Sequence, residues 1–150
     1  MLLQKLIEAK ILERIRAALA ALDYVTVRGA WEEAYHGLTK WSEDGGETAA
    51  FVSVALSIPT RKAPTDPTAA MSANISVFVR CECDPRGEKL CELCEILQEL
   101  FERWITSEMD ALDIPRFSVD GVAIGAGSPP KLNNAVCSVT YPLELSGSFV

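Results

Sequence analysis

Histidine is almost missing from this chain: His36 is the only one in 150 residues. Any Ser-His or Cys-His nucleophile would have to run through that one ring. There is no G-x-S-x-G elbow, no phosphate-cradling glycine loop and no H-E-x-x-H pair. Gly121 and Gly125-Ala126-Gly127 are not followed by a helical pattern, so they do not make a dinucleotide fingerprint. With no catalytic constellation, the expectation is a protein that is not an enzyme and takes no cofactor. Excess positive charge is missing too. Fourteen Lys and Arg face 21 Asp and Glu, a net charge of −7, which disfavours electrostatic binding of nucleic acid. No apolar run reaches the roughly 18 residues of a membrane span. Met1-Leu2-Leu3-Gln4-Lys5 opens a charged amphipathic pattern rather than an export signal, so a cytosolic protein with no membrane partner is expected.

What is present is the composition of a globular domain. Apolar residues make up 49% and charged residues 23%, near the average for soluble proteins. The length fits a single domain over 1–150, with core enough to fold unaided. The five cysteines, an odd number, are expected as free thiols. The charge is concentrated. From Glu82 to Asp113 there are ten acids and three bases, while the remainder holds 11 of each sign. One segment carries the whole imbalance.

Hydrophobic spacing lays out the elements. Leu3, Ile7, Ile11, Ile15, Leu19 and Leu22 recur at helical intervals, predicting a helix over 2–22 with Lys5, Glu8, Glu13 and Arg16 outside its apolar stripe. Tyr24 to Arg28 reads as a short strand. Residues 29–48 have no clear pattern, although Trp31, Tyr35, Leu38 and Trp41 permit a helical turn or two. Ala50 to Ile58 alternates, with Val52, Val54, Leu56 and Ile58 on one face, and Ile75 to Cys83 alternates again. Between them Pro59 to Asn74 reads as a long loop holding Arg61, Lys62, Pro64 and Pro67. Asp84-Pro85 is a helix start, predicting a helix to about Ser107. Its apolar side gathers Leu90, Leu93, Cys94, Leu97, Leu100, Phe101 and Trp104, and its opposite side gathers Glu88, Glu92, Glu95, Glu99 and Glu102. Phe117 to Ile124 reads as a strand bulged at Gly121. Gly125 to Asn134 reads as a loop, and Ala135 to Leu145 as a last strand. The sum is an α+β fold: a mostly antiparallel β-sheet packed on one face by two helices, with a long inter-strand loop.

Two constellations carry possible chemistry. Cys81-x-Cys83 and Cys91-x-x-Cys94 have the spacing of a four-thiolate zinc site. Against this, both pairs fall inside regular elements, where a buried thiol serves as a small hydrophobe, so packing is the favoured reading and no metal is expected. The Glu88–Glu102 stripe is in most helices a solvated face. Repeated around a ring it would act on whatever the channel holds, whereas one copy acts only within a Debye length of about 8 Å.

The order of elements resembles a family. A leading amphipathic helix precedes the sheet, and the Pro-rich stretch Pro59–Asn74 splits a strand pair. Ile75-Ser76-Val77-Phe78-Val79-Arg80-Cys81-Glu82-Cys83-Asp84 then feeds a helix, and two strands close with Thr140-Tyr141-Pro142-Leu143-Glu144-Leu145-Ser146-Gly147. This arrangement is similar to the tail terminator proteins of long-tailed bacteriophages, which share their fold with tail tube proteins. The resemblance implies a structural virion protein, made in the host cytoplasm and built into the virion tail. It implies a homohexameric ring that ends tube polymerisation and joins the tail to the head connector or a neck protein. The tail tube protein would lie below it, and DNA would pass through the lumen without specific binding. On that reading Arg61, Lys62 and Pro64 belong to an arm that meets a neighbouring subunit, with Glu88, Glu92, Glu95, Glu99 and Glu102 as its acidic counterpart. Two alternatives stand beside it: a neck or head-completion protein, and a small zinc-binding interaction module.

Overall fold

The computed structural model describes residues 3–30, 48–57, 60, 65–103 and 116–149. His36, Trp31, Trp41, Trp104, Arg61, Lys62 and Pro64 lie outside the described residues.

Helix α1 spans Leu3–Ala18 and buries Ile7, Ile11, Leu12 and Ile15, the stripe that its sequence spacing requires. Leu22 N–H donates to Leu19 O at 3.0 Å, so the pattern beyond Ala18 continues as turns rather than helix. Glu8 departs from expectation. It is 2% exposed, inside the protein rather than outside the stripe, and its carboxylate lies where a β-carbon on Gly29 would be. Glycine in the neighbouring strand makes the room that the pattern of α1 alone does not reveal.

Strand β1 is Val25–Gly29, β2 is Ala50–Leu56, β3 is Thr68–Arg80, β4 is Phe117–Ile124, β5 is Lys131–Asn133 and β6 is Val136–Phe149. They form one mixed sheet in the order β1-β2-β3-β6-β4, with β5 paired to the start of β6. Only β1–β2 is parallel; β2–β3, β3–β6, β4–β6 and β5–β6 are antiparallel. The fold is therefore α+β, with a mostly antiparallel sheet and, among the described residues, two long helices, as the alternation predicts. Register places Val54 opposite Ile75, and Ile75 and Val77 opposite Tyr141 and Val139. These side chains lie in one core with Leu93, Leu97 and Phe101 of helix α2, Glu88–Arg103, and the inner stripe of α1.

Helix α2 begins three residues later than its cap signal suggests. Gly87 has φ +73 and its N–H donates to Asp84 O at 3.1 Å, closing a turn first. Asp84 still caps: its carboxylate accepts from Lys89 N at 3.0 Å and Leu90 N at 3.1 Å, which satisfies donors that the helix start leaves open.

The long loop is shorter than the sequence implies. Thr68 to Asn74 belong to β3 and pair with β6, and Thr60 bridges Ala70. Ser57 N–H also donates to Ser72 O at 2.7 Å. The buried alternation Ala69, Met71, Ala73 continues that of Ile75, Val77 and Val79, but it is written in residues too small to signal a strand. At the other end β3 stops at Arg80. Cys81–Cys83 form a 3₁₀ turn rather than the end of a strand face. The bulge is where glycine placed it, with the β4–β6 register shifting between Val119 and Gly121.

The two sheet margins differ. Ala50 N–H donates to Tyr24 O at 3.0 Å, so in a parallel ladder Val25 and Val27 turn their backbone groups away from β2. The Arg16 side chain reaches over from α1 and donates to Val27 O at 2.8 Å, occupying that outer margin.

Candidate functional site

The helices cover one face of the sheet, and a groove opens on that side along α2. Its volume is about 600 Å³. The inner face of α2 supplies Leu90, Cys94 and Phe101, the stretch after β4 supplies Ile124 to Pro130, and β6 supplies Val139 and Tyr141. The floor follows from the α2 stripe: Phe101 meets Tyr141 edge to face with centroids 5.3 Å apart. The outer wall follows from small residues. Gly125 N–H donates to Pro142 O at 2.8 Å and Ser128 N–H to Thr140 O at 2.9 Å, which ties this stretch along β6. Thr140 N–H returns a bond to Ser128 Oγ at 3.0 Å. At Gly127 a β-carbon would stand 2.7 Å from the Tyr141 ring, so only glycine lets the wall pass so close.

The groove is apolar with a few polar groups. Tyr141 bonds the Cys94 thiol inside it. Burial, and then that bond, push the Tyr141 hydroxyl well above its ordinary value. Burial also raises the Cys94 thiol, and the nearby Cys91 and Cys137 add to the effect. A raised thiol pKa leaves Cys94 protonated at neutral pH, which makes it a packing group and a poor nucleophile. Gln98 and Glu102 of α2 stand among the lining residues.

Beside the groove a hairpin joins β5 to β6. Its two turn residues, Asn134 and Ala135, have φ +51 and +61, the pattern of a type I′ turn. Asn tolerates this conformation and Ala does not, at about 1 kcal/mol. Ala135→Gly is therefore expected to stabilise the protein by about 0.5–1 kcal/mol, read as a higher urea midpoint at unchanged slope. On β5, Leu132 sits opposite Cys137 and is 72% exposed, the one large hydrophobic side chain so exposed among the described residues. The sequence pattern reads 125–134 as loop, whereas the structure makes this stretch the groove wall and the first strand of a hairpin. The available signal was Asn133-Asn134, which favours a turn with positive φ.

The cysteines do not assemble as the zinc spacing suggests. Cys81 and Cys83 lie in the 3₁₀ turn, whereas Cys91 and Cys94 line the groove. Among the described residues no three His, Cys, Asp or Glu side chains converge to hold a metal ion. All five cysteines are free thiols. The acidic stripe is present: Glu88, Glu92, Glu95, Glu99 and Glu102 are all exposed on α2. Part of it has a partner within the chain. The Tyr24 hydroxyl donates to Glu92, and Lys89 Nζ lies 5.6 Å from the Tyr24 ring and donates to Cys83 O at 2.7 Å. Burial and this bond hold the Tyr24 hydroxyl protonated well above its ordinary pKa.

The opposite face of the sheet is different in kind. Along its middle the exposed positions include Ala55, Ser57, Ala70, Ser72, Asn74, Pro142, Glu144 and Ser146, none of them Lys or Arg, while Arg28, Arg80 and the exposed Lys131 project on the same face toward its margins. Neighbouring hydroxyls bond one another: Ser72 Oγ to Ser57 Oγ at 3.3 Å, and Ser76 Oγ with Thr140 Oγ1 at 3.1 Å. Ser148 Oγ donates to Asp120 at 3.0 Å.

No family model matches the chain, and no curated protein matches it. Solved structures do match. One of them, whose name states no function, aligns over 98% of this chain and 96% of its own at 16% sequence identity with a TM-score of 0.52. That likeness supports the α+β fold along nearly the whole chain, and the fold alone. Among the described residues no helix is long and apolar enough to cross a membrane.

Proposed function

We propose that the chain is a structural protein of a bacteriophage tail, a terminator whose copies form a six-membered ring at the head-proximal end of the tail tube. The ring ends tube polymerisation and offers its upper surface to the head connector or a neck protein. The observation that carries this reading is the two-faced sheet. Both described helices pack on one side, and the other side is a broad surface of small and hydroxyl side chains, several bonded to one another, whose exposed positions on β2, β3 and β6 hold no Lys or Arg. Such a face can border a lumen through which DNA moves without being held, since binding to the DNA backbone needs Lys or Arg to neutralise phosphates. The order of helix, sheet, helix and closing strands supports the same reading. The role is non-catalytic, and the groove along α2 is an assembly surface in it.

The test is genetic and visual. Phage particles assembled without this protein are expected to carry overlong, headless tails in electron micrographs. Tails of normal length that fail to join heads would overturn the terminator role and assign the chain to the neck instead.

A further inference from the structure

Two cysteines of α2 open on the same groove. Cys91 and Cys94 both line it, three positions apart on one helix. Residues so spaced share a helix face. The rise and turn of an α-helix put their Cα atoms about 5 Å apart, inside the roughly 4.4–6.8 Å that a disulfide spans. Their surroundings differ. Cys91 is exposed, whereas Cys94 is half-buried and bonded to Tyr141. Of the thiols that act on Cys94, Cys91 acts more strongly than Cys137. Cys137 is fixed in the sheet opposite Val79 and Leu132, and Cys81 and Cys83 lie in the 3₁₀ turn. Cys91 is therefore the partner that helix geometry gives to Cys94.

We propose that Cys91 and Cys94 form a redox-active dithiol, in which Cys91 attacks a small cationic disulfide and Cys94 then closes an internal disulfide with it. In the first step the Cys91 thiolate attacks one sulfur of the small disulfide. A mixed disulfide forms at Cys91, the S–S bond of the reagent breaks, and one small thiolate leaves and takes a proton from water. In the second step Cys94 gives its proton to solvent and attacks the Cys91 sulfur. The Cys91–Cys94 bond forms, and the second small thiolate leaves and is protonated in turn. The two protein thiols lose two electrons and two protons, and the small disulfide gains them. The order of the steps follows from exposure. Cys91 is open to a solute, while Cys94, protonated and half-buried, is a poor first attacker. Its low thiolate fraction is offset once the target sulfur sits one turn away, because the attack is then intramolecular. The β-carbons of such a pair start about 5–6 Å apart and must close to about 4 Å. The bond therefore tightens the first turns of α2 and is readily reduced again. The preferred charge of the reagent also follows from α2. Glu88, Glu92 and Glu95 lie within about one turn of Cys91, so a cationic solute is drawn toward it and an anionic one is repelled. Nothing in this chemistry depends on assembly into a ring.

The experiment treats the reduced chain with cystamine as the cationic disulfide and glutathione disulfide as the anionic one. Samples are quenched in acid and read by mass spectrometry with peptide mapping. With cystamine the wild type is expected to end with a bond between Cys91 and Cys94 and no adduct on either. Cys94→Ser is expected to stop after the first step and keep one cysteamine on Cys91, and Cys91→Ser to leave Cys94 unreacted. At low salt the first step should run roughly ten-fold faster with cystamine than with glutathione disulfide, and the ratio should shrink as salt is added. Tyr141→Phe tests the second step. The groups acting on Cys94 are Cys91 on its own helix and Tyr141 and Cys137 on β6, and the Tyr141 bond lowers the Cys94 thiol against the effect of burial. Without that bond the second step is expected to slow roughly three-fold at neutral pH, with its pH profile displaced upward. A lasting mixed disulfide on Cys91 of the wild type, or a bond from Cys94 to Cys137, would overturn the dithiol. Faster reaction with glutathione disulfide would overturn the cationic preference. These outcomes are read on the wild-type chain, so they do not depend on a variant keeping its fold.

Discussion

Leu97→Ala is expected to destabilise the protein by about 3–5 kcal/mol. Leu97 is fully buried, in the middle of the α2 stripe, with Leu93 one turn before it and Phe101 one turn after. Truncation removes transfer free energy and leaves a cavity between helix and sheet that neighbours on a rigid ladder cannot collapse to fill. Because the α2 stripe also sets the position of Phe101, the groove should lose its floor. The check is chemical denaturation, where the midpoint falls at an unchanged slope, together with a melting temperature about 10 °C lower. A loss below about 1 kcal/mol would mean that α2 is not anchored on the sheet as described.

Gly147→Ala should have the second-largest effect, about 2–3 kcal/mol. Gly147 lies on β6 opposite Val119 of β4. A β-carbon there would overlap the backbone oxygen of Ser118 and the ring edge of Phe117. The Phe117 ring is itself held edge to face against Phe149, with centroids 5.1 Å apart. A side chain could rotate away from such a clash, but the Ser118 carbonyl belongs to the neighbouring strand and cannot. The gain from a stiffer unfolded chain offsets less than about 1 kcal/mol of this. Hydrogen exchange localises the damage: amides of β4 should lose protection while those of β2 and β3 keep theirs.

The elements that were legible in the sequence are those whose side chains are large. Ile7, Ile11 and Ile15 announce α1, Leu93, Leu97 and Phe101 announce α2, and Val52, Val54 and Leu56 announce β2. Gly121 marked the bulge because a strand tolerates glycine mainly where its register breaks. Where the same alternation is written in Ala69, Met71 and Ala73, local preference is weak. The strand there exists because β2 and β6 flank it, a tertiary effect that no window of sequence contains. The buried carboxylate of Glu8 was illegible for a similar reason, since its space is made by Gly29, 21 positions away. The groove was only half legible. The α2 stripe gives one wall, but Ile124 to Pro130 become the other wall only through backbone bonds to Thr140 and Pro142. The arm expected over Pro59–Asn74 was misjudged at its second half, which is sheet.

The guanidinium of Arg16 on Val27 O has a consequence for crowded conditions. Bare strand edges invite indefinite lateral addition of further chains, the first step toward fibrils. Here one flank of the sheet is plugged by a charged side chain from the molecule's own first helix. Lateral addition at β1 would have to displace this bond first, which makes that flank a poorer starting point for a runaway ribbon.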